Sequence, residues 1–166
     1  MRILYIVMIL SLNGCGVNDT GMVVVNQKQV APIVSNYGIY GSYVKEFKDL
    51  VGAATGTRPS DKVTSIAYVD ASEKGTWATC FITYDDEAQT VIYSAHVELD
   101  PNLKGQSDIL LRAVLLHELG HCIMNSHHVE DSADLMYPYT SKWISEDKLD
   151  SRVARYMERL AEGKNS

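Results

Sequence analysis

His117-Glu118-Leu119-Gly120-His121-Cys122-Ile123-Met124-Asn125-Ser126-His127-His128 is the stretch on which the reading of the whole chain turns. A helix advances about 100° per residue, so side chains four apart differ by roughly 40° around its axis. His117 and His121 therefore point the same way, one turn apart, and can grip a single ion. Glu118 projects beside them without being forced to bind it, which suits a general base acting on a metal-bound water. The helix carrying this motif is expected from about Asp108 to Met124. Ser107 is a good N-cap, and Asp108 sits in the first turn, where the helix dipole favours a carboxylate. Ile109, Leu110, Ala113, Val114, Leu116 and Leu119 make the helix largely apolar, which places it centrally and buried. Two imidazoles and a carboxylate in such surroundings need a compensating partner, and a metal ion supplies one.

A catalytic zinc takes three protein ligands and keeps a further position for water. The third ligand should lie close downstream, where the chain offers His127 and His128. The stretch from His117 to His128 resembles the metzincin motif HExxHxxGxxH. Asp134-Leu135-Met136-Tyr137-Pro138 is similar to the Met-turn of the matrix-metalloprotease-like members, and Ile144-Ser145-Glu146-Asp147 resembles the start of the C-terminal helix that follows it there. The resemblance runs from about Leu115 to Leu160; upstream, only the order of a helix followed by strands agrees. There is one departure. At the usual spacing the family's glycine falls on Met124, which would make His127 the ligand. Methionine resists the positive φ of a sharp helix end, whereas asparagine tolerates it. Asn125 is therefore the better turning residue, and counting three on from it reaches His128. His128 is the expected third ligand, with His127 as the alternative.

The resemblance implies a zinc-dependent endopeptidase (metalloendopeptidase) with Zn2+ held by His117, His121 and His128. Glu118 would take a proton from the zinc-bound water, whose pKa such a metal lowers to about 7, and hand it to the leaving amine. Met136 would form an apolar floor under the zinc without binding it. An extended peptide or protein substrate would pair with an edge of the sheet. Tyr137 and Tyr139 are read as packing residues, Asp131 and Asp134 as turn-formers, and His96, after a strand, as structural. Two rivals remain. In other zincins the third ligand is a distant glutamate on a later helix, here Glu146 or Glu158. Alternatively, the chain is a catalytically inactive zinc-binding envelope lipoprotein that acts as a binding module.

The remainder of the chain bounds these readings. Met1-Arg2, an apolar run from Ile3 to Leu12 and then Asn13-Gly14-Cys15 have the pattern of a secretory signal. The run is too short to span a bilayer, which takes about 20 residues. Leu12-Asn13-Gly14-Cys15 resembles the bacterial lipobox, which implies cleavage after Gly14 and a lipid on Cys15. Residues 1–14 are thus expected to be a lipoprotein-type signal peptide, 15–29 a lipid-anchored tether and 30–166 the zinc metalloprotease domain. The protein would be exported and anchored by lipid to a membrane of the cell envelope, as a monomer. In an oxidising compartment Cys80 and Cys122 can form a disulfide; two buried thiols are the alternative. The net charge of −6 without a basic run argues against a nucleic-acid partner.

Tyr40, Tyr43, Val44, Phe47, Leu50 and Val51 recur at helical spacing, with Gly52 as the expected stop. Residues 63–69, 77–84 and 90–93 are rich in β-branched and aromatic residues and read as strands, the last two as a hairpin. Ser145 caps a final helix through Leu160. The expected fold is a single α/β (α+β) domain of zincin or metzincin type, with a small mixed sheet, an active-site helix, a Met-turn and a C-terminal helix.

Overall fold

The computed structural model describes residues 21–24, 37–69, 76–84 and 92–163. The signal stretch 1–14 and Cys15 lie outside the described residues. The elements run β1 (Gly21–Val24), α1 (Gly41–Thr55), β2 (Val63–Tyr68), β3 (Ala78–Tyr84), β4 (Ile92–Leu99), α2 (Asp108–Met124) and α3 (Glu146–Ala161), with short 3-10 turns at Gly38–Tyr40 and Pro101–Leu103. This is the mixed α/β domain expected. Among the described residues no helix is long and apolar enough to cross a membrane.

The sheet has the order β1-β3-β4-β2. β3 and β4 pair antiparallel, with Phe81 opposite His96, while β1 runs parallel to β3 and β2 parallel to β4. The alternation along β3 and β4 sorts side chains between the two faces. Cys80, Ile82, Ala95, Val97 and Leu99 are buried beneath α2, and Phe81, His96 and Glu98 lie half-buried on the other face. α1 and α3 pack on each other and on α2, with the Phe47 and Tyr156 rings stacked at 6.2 Å.

Four expectations need correction. β4 extends from Ile92 to Leu99 rather than over 90–93, because the polar His96 and Glu98 alternate with apolar residues and occupy the outer face. His96 is therefore inside a strand, where its ring stacks on Phe81 at 4.8 Å and approaches Glu98 at 3.6 Å. Gly52 does not end α1. It lies within the helix, where a Cβ would meet the Arg58 backbone at 3.4 Å. The helix stops at Gly56, which takes the left-handed conformation (φ 76°) that glycine adopts without a steric cost. Finally, β1 falls inside the stretch read as a tether, so those four residues belong to the sheet. The rest of 15–29 lies outside the described residues.

Candidate metal centre

Ser107 caps α2 by accepting a hydrogen bond from the Leu110 amide at 3.2 Å. From Ala113 to Cys122 the helix is buried throughout, which carries His117, Glu118 and His121 into the interior at 0–1% exposure. The disulfide Cys80–Cys122 joins the helix to β3 one residue past His121, with Cα atoms 5.8 Å apart.

The helix then ends as its sequence suggests. Asn125 is left-handed (φ 53°, ψ 32°), alone among the described non-glycine residues in having positive φ. Its amide donates to His121 O at 3.0 Å and the Ser126 amide donates to Gly120 O at 3.2 Å. These two bonds satisfy carbonyls that the last turn would otherwise leave bare. Tyr84 of β3 donates to Asn125 Oδ1 at 2.6 Å, and Ser126 Oγ meets Tyr156 Oη of α3 at 2.8 Å. The chain doubles back after Asn125, and this reversal brings His128 to the two helical histidines.

The three Nε2 atoms form a near-equilateral triangle. The His117–His121 and His117–His128 edges are 3.2 Å and the His121–His128 edge is 3.1 Å. His117 Nδ1 lies 2.7 Å from Leu135 O, and His121 Nδ1 lies 2.5 Å from Ser126 O. A carbonyl oxygen can only accept, so each Nδ1 carries the proton and donates it. Nε2 of His117 and His121 then presents a lone pair, and these lone pairs face one another across 3.2 Å. That arrangement is repulsive unless a cation lies between them. Burial, and then the charge of His128, pushes the pKa of His117 down to about 3. Burial also drives His121 well below its ordinary value. Both are neutral at pH 7, the form that binds metal. Four-coordinate bonds of about 2.0–2.1 Å to imidazole place ligand nitrogens roughly 3.3–3.4 Å apart, so the triangle fits a metal ion in size as well as in chemistry.

The cluster of His117, His121 and His128 is the candidate metal site among the described residues. His127 and His128 are both exposed, and it is His128 that joins His117 and His121 while His127 stands outside the cluster. Glu146 and Glu158 are exposed on α3 and do not join the cluster, and Glu158 pairs with Arg155 at 3.7 Å. Met136 is fully buried under α2, where a Cβ added to Gly120 would overlap Met136 Sδ and lie 3.2 Å from Cε. Its carbonyl accepts from the Val129 amide at 3.1 Å, tying the His128 segment to the Met136 turn. Tyr137 and Tyr139 pack edge to face at 5.5 Å, and Arg152 lies over Tyr137.

Asp131 forms the turn expected of it by accepting from the Ala133 amide at 2.9 Å. Asp134 does more. It is 2% exposed, accepts from the Met136 amide at 2.8 Å, and binds Arg159 of α3 at 2.9 Å. The carbonyls of Leu135 and Ser126, and the hydroxyls of Tyr84 and Tyr156, were not read from the sequence. Any residue type supplies a carbonyl, so no signal marks the first two. The tyrosines lie in apolar runs that look like core. Comparison with family models, with curated proteins and with solved structures gave no match.

Proposed function

We propose that the protein is a zinc-dependent endopeptidase of the metzincin type. The observation that carries this reading is the triangle of three Nε2 atoms, with Glu118 buried on the same helix immediately after His117. Imidazole ligands suit zinc. A closed structural site would have a fourth protein ligand, whereas three ligands are the set that catalytic zinc sites use. His117 and His121 would hold the ion through Nε2, their rings fixed by Leu135 O and Ser126 O, and His128 would close the set from the exposed side. Such second contacts orient the ligand and raise its basicity. When bound, zinc supplies Lewis acidity toward a scissile carbonyl and toward water.

The remaining chemistry belongs to the chain. A carboxylate oxygen of Glu118 accepts the proton of the attacking water and returns it to the leaving amine nitrogen. Burial of Glu118 excludes bulk water that would compete for that proton. The substrate is an extended peptide, and the export and lipid anchoring expected from residues 1–15 would direct the enzyme to proteins of the cell envelope.

The test is cleavage of a denatured protein mixture, with new termini read by mass spectrometry, by the purified protein and by Glu118→Gln. The expected result is zinc bound in both, and new termini generated by the unaltered protein with at least a hundredfold loss in the variant, since a positioned acid–base group contributes about 10²–10⁴-fold. Identical patterns from the two proteins, with zinc bound in each, would instead leave a zinc-binding module without turnover.

A further inference from the structure

We infer that Tyr84 is a positioning residue for the metal centre and acts through the side chain of Asn125. The inference rests on the reading of His117, His121 and His128 as a zinc site, and not on proteolysis.

The ligands are carried by two pieces of chain with different constraints. His117 and His121 belong to one helix, and the Cys80–Cys122 disulfide joins that helix to β3. His128 lies outside the helices and strands, on the segment that the Val129 amide ties to Met136 O. Its place depends on the reversal at Asn125, a left-handed residue that is not glycine. An L side chain in that region is sterically disfavoured, and asparagine is among the few types that occupy it readily. Glycine would adopt the turn freely but would also leave it freely.

Tyr84 resolves this by holding the side chain that glycine lacks. Its hydroxyl donates to Asn125 Oδ1 at 2.6 Å, and the tyrosine is only 3% exposed, so the bond is shielded from water. Cys80 and Tyr84 stand on the same strand and both are buried. β3 therefore grips the end of α2 twice, once covalently at Cys122 and once by a hydrogen bond at Asn125. Directly after Asn125 comes Ser126, whose carbonyl accepts from His121 Nδ1. A turn that slackens at Asn125 would misplace both the acceptor that orients His121 and the third ligand, His128. A bare core role for Tyr84 would require only its ring, and the hydroxyl separates the two cases.

The measurement is Zn2+ affinity of the full-length chain by competition with a chromophoric chelator, with a thermal melt of the metal-free protein alongside. Tyr84→Phe is expected to bind Zn2+ roughly five- to tenfold more weakly, the value of one shielded hydrogen bond. Asn125→Gly is expected to weaken binding by a similar amount, and adding Tyr84→Phe to it should cost less than about twofold more, because the partner is already gone. Asn125→Ala keeps Tyr84 but strains the turn, and should bind more weakly than Asn125→Gly. Wild-type affinity in Tyr84→Phe overturns the inference, as does an undiminished effect of Tyr84→Phe in the Asn125→Gly background. If Tyr84→Phe melts below the assay temperature, Asn125→Ala decides, and wild-type affinity there overturns the inference. A wild-type chain that binds no Zn2+ would sink both this inference and the proposed function, whereas zinc binding that Tyr84→Phe and Asn125→Ala leave unchanged would sink this inference alone.

Discussion

Gly120, between Glu118 and His121, has no Cβ, and the structure shows what uses that space. Met136 Sδ and Cε lie against its Cα, and a Cβ would stand 3.4 Å from Tyr156 Oη. Gly120 has an ordinary helical φ, so the requirement is for room rather than for backbone freedom. Alanine would improve helix propensity by about 1 kcal/mol. Overpacking a closed interior costs about 1–3 kcal/mol, and Met136 is fully buried. Gly120→Ala is thus expected to destabilise the protein by up to about 2 kcal/mol net, as measured by urea unfolding. A variant more stable than the parent by about 1 kcal/mol would mean that Met136 rearranges at no cost. At this scale the sequence showed a good deal. The histidine spacing, and the preference of asparagine over methionine for positive φ, pointed to the three histidines that the structure brings together, His117, His121 and His128, and to Asn125 as the turning residue. The same reasoning could not find Leu135 O or Ser126 O, because backbone acceptors leave no trace in residue type.

Between elements, the Met136 turn is joined to α3 by a buried charge. Asp134 gives one oxygen to the Met136 amide and both to Arg159, at 2.9 and 3.3 Å. Removing one member of such a pair is costly because the other charge stays behind in a poor solvent. Asp134→Ala is expected to lower stability by about 3 kcal/mol. Asp131→Ala, in the same turn but with an exposed side chain, should lower it far less. Equal losses in guanidinium unfolding would show that the buried pair has no special weight. The sequence suggested a turn at both aspartates and could not rank them, since the distinction depends on Arg159, twenty-five residues away. Element ends followed a similar pattern. Ser107 and Ser145 cap α2 and α3 as local chemistry predicts, with side chains accepting from Leu110 and Lys148. β1 was missed because four residues, Gly21 to Val24, become a strand only by pairing with β3, a contact no local window contains. The end of α1 was misplaced because Gly52 and Gly56 are equivalent as helix stops until the chain at Arg58 packs against the first.

For the molecule as a whole, the disulfide is the one covalent cross-link between the helical layer and the sheet among the described residues. It closes a loop with a sequence separation of 42. On the chain-entropy estimate a loop of that size contributes about 4 kcal/mol by restricting the unfolded state. The Cys80→Ala, Cys122→Ala double variant is expected to lose about that much in denaturant unfolding, and the parent under reducing conditions should behave alike. A loss under about 1 kcal/mol would show that residual structure already confines the unfolded chain, so that the cross-link removes little entropy. The mixed α/β architecture was legible from the periodicity of its segments. The order β1-β3-β4-β2 was not, because which strands become neighbours is decided by packing across the domain.

The positions of these parts along the chain also bear on the order in which the protein can be assembled as it is made. β1 is synthesised first among the described elements, yet its partner is β3, and Gly21 waits for Thr79. The three histidines follow later still, and the groups that lock their surroundings, Tyr156 and Arg159, lie near the end of α3. A growing chain therefore exposes an unpaired strand early and gains a finished ion-binding cradle only at the last turns of its final helix. The histidine cluster that could hold a metal ion is thus among the last parts of the described structure to be completed.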